Sequence, residues 1–136
     1  MNDLGLPIIG LGERSAEYAE LPLQWMPHIQ VADVAASVER ALDLGDRELM
    51  HGKDESGQSH WAVLLDPNDA AFGIIPVVPG EAVPPNEGDA ATRAGCISWI
   101  NLTVSDPSTT RDFYRQVVGW SVRDVVMGDA SERYAD

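Results

Sequence analysis

Polar and apolar residues alternate, then recur at helical spacing, along ISWINLTVSDPSTTRDFYRQVVGW, the stretch from Ile97 to Trp120. Ile100, Leu102 and Val104 alternate with Trp99, Asn101 and Thr103, which predicts a strand over Ile97 to Val104 with two unlike faces. Asp106 is a good N-cap, Pro107 suits a first helical turn, and Phe113, Tyr114, Val117 and Val118 make a buried stripe that Gly119 ends. The same grammar occurs in WMPHIQVADVAASVERALDLG, Trp25 to Gly45. Superimposing Val104 on Val31 and Asp106 on Asp33 aligns the strands, and the two helices then differ by one residue before their glycines. The chain reads as a duplication, and its function is expected where the copies meet, since each alone has only one sheet face to bury.

In the first copy, Trp25, Pro27, Ile29 and Val31 fall on one strand face and Met26, His28 and Gln30 on the other. Asp33 caps a helix bearing Val34, Val38 and Leu42, which Gly45 closes. Strands follow at Arg47 to His51, His60 to Leu65 and Ala71 to Val78, separated by a polar hairpin loop, Gly52 to Gly57, and the turn Asp66-Pro67-Asn68-Asp69. Glu13 to Leu23 reads as a polar connector, with Glu13, Glu17 and Glu20 on a solvated face. Pro79 to Gly95 has prolines, glycines and small or acidic residues without apolar periodicity, and reads as a linker.

The second copy continues with strands at Trp120 to Met127 and Glu132 to Asp136 and then runs out, whereas residues 4–12 form an orphan strand ahead of the first copy. Joining the ends gives a strand, turn, strand hairpin, so the parts look circularly permuted. The expected division is a complete module over 24–78, a linker over 79–95, and a second module made of 96–136 plus 1–13. Either the termini meet within one chain, or one chain completes another's module in a swapped dimer, or the sequence is a fragment of a longer tandem protein.

A length of 136 residues fits one domain or two small modules sharing a core. The formal charge of -13 opposes binding to phosphate backbones or anionic lipid, so neither nucleic acid nor membrane is expected as a partner. Spread over loops and helix faces, the acid serves solubility. There is neither an apolar run of about 18 residues nor a signal-peptide pattern, and the expected location is the cytoplasm. The lone Cys96 reads as a small apolar residue at a strand start.

The repeated strand, Asp and helix, together with the hairpin VLLDPNDAAFGII, resemble the vicinal oxygen chelate superfamily of glyoxalase I, bleomycin-resistance proteins and extradiol dioxygenases. Asp69 stands where that family usually has Gly. The resemblance implies an α+β fold of bacterial type, with two βαβββ modules whose curled mixed sheets surround a shared cavity, helices outside. Alternation assigns the faces independently: Ile29, Val31, Leu102 and Val104 toward the helices, and Met26, His28, Gln30, Trp99, Asn101 and Thr103 toward the cavity.

In metal-dependent relatives each module supplies an inward first-strand ligand, usually His, and an inward fourth-strand carboxylate. Carried over, those positions fall on Met26, Trp99, Gly73 and Gly10, none of which is a hard N/O ligand, so no metal or other cofactor is expected. Glycine at 10 and 73 is expected to enlarge the cavity and admit a ligand to the backbone. Trp61 and Trp99 would supply flat apolar walls, His28 a polar contact or weak general base, and Asn101 and Tyr134 further polar anchors. His51 and His60 are read as solvated, and Asp66 and Asp69 as turn formers. No nucleophile elbow, phosphate loop or dinucleotide fingerprint is present.

The leading expectation is a metal-independent protein that binds or sequesters a small apolar or aromatic molecule, acting as a homodimer. The alternatives are a glyoxalase-type lyase or isomerase, or a dioxygenase, with displaced metal ligands including His28, and a subunit whose role is assembly.

Overall fold

A computed structural model describes residues 10–79, 97, 100–126 and 133–135, with 124–126 and 133–135 as backbone only. The described residues divide between two compact units, one within Glu20–Val77 and Val104–Asp136, the other within Met1–Ala19 and Val78–Thr103. The first unit holds β1 (His28–Val31), α1 (Val34–Asp43), β2 (Glu48–Lys53), β3 (Ser59–Leu65), β4 (Ala71–Pro76), α2 (Pro107–Val117), β5 (Asp124–Val126) and β6 (Arg133–Ala135). In the second, Ala16–Tyr18 is a single 3-10 turn inside the expected connector.

β1, α1, β2, β3 and β4 form a βαβββ unit with strand order β1-β4-β3-β2. β1 runs parallel to β4, and the β2–β3 and β3–β4 pairs are antiparallel. α1 makes the crossover that a parallel pair needs. The fold is therefore α+β with a mixed sheet and its helices on one face.

Both helices begin at the expected Asp caps. Asp33 accepts the Ala36 amide at 2.9 Å, and Asp106 accepts those of Ser108 and Thr109 at 3.0 and 3.1 Å. Both caps have extended backbone, so a short carboxylate reaches the unpaired amides of the first turn. Each helix ends through a positive-φ glycine, Gly45 at 88° and Gly119 at 81°.

α1 and α2 lie on the same sheet face. Val34, Val38 and Ala41 of α1 and Phe113 and Val117 of α2 share one core with Val31, Ala62, Leu64, Phe72 and Ile74. Phe72 is its centre, meeting Phe113 edge-on at 6.0 Å between ring centroids and Tyr114 at 5.2 Å. Full burial of one such side chain is worth about 1.5–3 kcal/mol. Arg40 of α1 donates to the Val117 carbonyl at 3.2 Å, satisfying an acceptor that the end of α2 leaves open.

Polar groups fix α2 at the β3–β4 turn. Asp66, only 2% exposed, accepts the amides of Asn68 and Ala70 at 2.8 and 2.9 Å. The Tyr114 hydroxyl donates to its other oxygen at 3.3 Å, and the Asn68 amide donates to Thr110 at 2.9 Å. Burial first, and the charge of Asp66 second, push the Tyr114 phenol up from its ordinary value. Asp66 is thus more than a turn former, because it also joins the turn to α2.

Several expected elements are corrected. β1 starts at His28 rather than Trp25, and Trp25 is 77% exposed instead of facing the helices. Residues 97 and 100–104 carry no strand, and Ile100 and Leu102 are 68% and 48% exposed. β1 shows the physical reason: it is held through its pairing with β4, and among the described residues no strand pairs with 97 or 100–104. The strands expected at Trp120 to Met127 and Glu132 to Asp136 appear as the shorter hairpin β5–β6, with Val125 opposite Tyr134. Most of residues 4–12 lies outside the described residues; Gly10, Leu11 and Gly12 carry no strand.

Candidate functional site

The sheet face away from the helices is the one expected to line a cavity. Cross-strand partners share a face, so His28, Gly73, Val63 and Met50 form a row from β1 through β4 and β3 to β2. Gln30 stands opposite Ile75, and Trp61 opposite Gly52. Val63, Leu65 and Ala71 are buried here beneath Leu21, Met26, Leu49, Met50 and Trp61. Leu21 therefore packs on the sheet, although it belongs to the stretch expected to be a polar connector.

Two rings lie against glycines. A Cβ built on Gly73 would lie 2.6 Å from His28 Nε2, and one on Gly52 would collide with the Trp61 indole. Each glycine provides the space its neighbour's ring occupies. The expectation that Gly73 enlarges the cavity is thereby corrected, because the His28 imidazole fills that space. His28 Nδ1 lies 3.3 Å from the Met26 carbonyl. A carbonyl only accepts, so Nδ1 donates and, in the neutral ring, Nε2 is left as the acceptor over Gly73.

The structure therefore brings Met26, His28, Gln30 and Trp61 to one face of one unit. Asn101 and Thr103 are exposed in the other unit and outside any strand. Gly10, also there, has no heavy atom within 4 Å of a built Cβ. Trp99 and the Tyr134 side chain lie outside the described residues. Among the described residues, no group of three or more His, Cys, Asp or Glu side chains is placed to hold a metal ion. No described helix is long and apolar enough to cross a membrane.

A second cluster lies on the helix side, where sequence reasoning expected solvated groups. His51 has a side chain only 11% exposed, with Nδ1 3.0 Å from Glu48 Oε2 and Nε2 2.8 Å from Ser59 Oγ. In a regular strand residues three apart face opposite ways, so Glu48 and His51 could not meet. A register shift between Glu48 and Met50 turns both to one side, where they stand opposite Leu64 and Ala62 of the helix-side core. Periodicity alone does not reveal a bulge, which is why this cluster escapes a sequence reading. His60, by contrast, is exposed and bonds Asp54 at 3.2 Å.

These features define an α+β domain whose sheet presents an apolar, ring-bearing face opposite its helices. No family model matches the chain. It is similar to the anthracycline biosynthesis protein DauV of Streptomyces sp. strain C5, with 30% identity over 105 residues. The similarity covers 76% of this chain but only 36% of that relative's length.

Proposed function

We propose that the protein is a metal-independent, small-molecule-binding protein of the glyoxalase and bleomycin-resistance type. In this reading it is a cytoplasmic homodimer that sequesters an apolar or aromatic compound on the sheet face bearing His28 and Trp61. The observation that carries the reading is the pairing of both rings with glycines on a face otherwise built from Met26, Met50, Val63, Leu65 and Ala71. Such a surface offers flat contacts and one imidazole, as small-molecule sites commonly do. The similarity to an anthracycline biosynthesis protein supports an aromatic polycycle as the ligand class.

The chelate of metal-dependent relatives does not fit these residues. Gly73 and Gly10 offer no side chain, and the Met26 thioether packs against the apolar cluster. Thioethers select soft metals, whereas that chelate is built from N and O donors. Binding in this reading rests on apolar contact, with His28 Nε2 as hydrogen-bond acceptor for a ligand hydroxyl.

Titration with a purified anthracycline, read by the ligand's own fluorescence, tests the proposal. Saturable binding that weakens about tenfold or more in Trp61→Ala is expected, since losing one flat contact of roughly 1.4 kcal/mol has that effect. Wild-type affinity in Trp61→Ala and His28→Ala alike would sink the assignment of this face. Stoichiometric Fe, Ni or Zn in the purified protein would overturn metal independence.

A further inference from the structure

We infer that Glu48, His51 and Ser59 form a second, nucleophilic site on the helix side of the sheet, with Ser59 able to take an acyl group from a small ester. The order of the three groups carries this. A carboxylate only accepts, so His51 Nδ1 donates to Glu48 at 3.0 Å, and in the neutral ring Nε2 is left to accept the Ser59 hydroxyl at 2.8 Å. Acid on Nδ1 and hydroxyl on Nε2 is the arrangement that lets an imidazole take a proton from a nucleophile. It is recognised by geometry and not by sequence order.

Two irregularities of the β2–β3 pair accompany this alignment. The register shift at Glu48/Met50 sets Glu48 and His51 on one side, and a second shift at Gly52/Lys53 leaves Ser59 opposite Lys53 while Trp61 stands opposite Gly52. Ser59 thus bonds His51 on the helix side although Trp61, two residues on, lies over Gly52. Bulges are over-represented beside active sites because they re-aim side chains.

All three residues line an open groove of about 690 Å³ between α1 and the β2–β3 hairpin. Ala35, Ala36, Val38 and Leu42 give its α1 wall an apolar strip, while Asp33, Glu39, Asp43 and Glu48 surround it with carboxylates. Four carboxylates against the one ammonium of Lys53 disfavour an anion, so the substrate class is an uncharged or cationic carboxylic ester.

In acylation, Ser59 Oγ bonds to the ester carbonyl carbon as its proton passes to His51 Nε2. The bond from that carbon to the leaving oxygen then breaks, and the alcohol departs with the proton. Water repeats the exchange at the acyl-serine, releasing the carboxylic acid and restoring the hydroxyl. Ser59 and His51 are the reacting groups, and Glu48 is a positioning residue that orients the ring.

The test uses the whole chain with p-nitrophenyl acetate, an uncharged ester, followed by mass spectrometry of the quenched protein. A nitrophenol burst and one acetyl group per chain on Ser59 are expected. Ser59→Ala should abolish the burst, and His51→Ala should slow it about 100-fold or more. Glu48→Gln should slow acylation yet leave the final amplitude at one, a split that general destabilisation would not produce. Acetyl groups on Lys53 or other amines in place of Ser59 would overturn the proposal, as would an unchanged burst rate in His51→Ala. Adduct mapping on the wild-type protein decides the matter even where a variant fails to fold.

Discussion

His28 and Gly73 stand opposite one another in the parallel β1–β4 pair, and the imidazole of the first occupies the space where the second would carry a Cβ. A ring and a missing side chain on neighbouring strands form one packing unit, so neither residue can be changed independently.

Gly73→Ala should therefore displace the ring and cost about 1–3 kcal/mol, the usual penalty of overpacking. His28→Ala should offset much of that loss, giving a coupling of roughly 0.5–3 kcal/mol in a double-mutant cycle measured by urea denaturation. Additive effects would show that the ring does not rest on the glycine.

Asp69 has a left-handed backbone, with φ at 60°, at the position where the resemblance leads one to expect glycine. Asp tolerates this region better than most residues, whereas a β-branched side chain does not. Asp69→Val should cost roughly 1–2 kcal/mol in thermal or urea melts, and Asp69→Gly should lose little or gain slightly. The ion pair of Asp69 with Arg47 at 2.7 Å is exposed on both sides and weighs little in that balance.

Asp54 organises the β2–β3 loop, accepting from the Ser56 amide and hydroxyl and from the Gln58 amide. Those bonds, led by the Ser56 hydroxyl, hold its carboxyl down to about 2 from an ordinary 3.8. A lowered carboxyl stabilises the folded form above the unfolded value, and that contribution is lost as pH falls through the folded one. Carboxyl-carbon NMR should therefore place the Asp54 titration near 2, with the loop loosening between about pH 4 and 2. In Asp54→Asn this acid-induced change should disappear. A titration near the ordinary value would refute the loop geometry.

Tyr114 behaves in the opposite sense. Its phenol is raised by burial and by Asp66, so its stabilisation is complete below the unfolded value of 10.0 and declines as pH climbs toward the folded one. Alkaline melts should show this loss in the wild-type protein and a shallower one in Tyr114→Phe. At neutral pH, Tyr114→Phe should cost about 0.5–1.5 kcal/mol. Asp66→Ala should cost more, because it strands two turn amides as well.

What could be read from the sequence depended on whether the cause was local. Caps, helix ends and the two faces of β1 follow from a few neighbouring residues, and Asp33, Asp106, Gly45 and Gly119 all act as their positions imply. A strand, by contrast, needs a partner, and alternation around Leu102 and Val104 could not disclose whether one was present. The site divides in the same way. Alternation placed Met26, His28 and Gln30 on one face, but the fit of His28 over Gly73 depends on a register between distant strands. His51 was read as solvated from its place near a hairpin, whereas a bulge turns its ring toward Glu48 and Ser59.

The parallel pairing of β1 with β4 also has a consequence for the order of folding. β2, β3 and β4 are joined by short turns and can zip up from local contacts, whereas β1 must wait for β4, the last of the four strands in the chain. Closing so large a loop costs entropy before any contact rewards it, which makes such pairings late and slow. The contact of His28 with Gly73 therefore forms only once β1 has docked on β4, and until then the ring-bearing surface cannot be offered to a ligand.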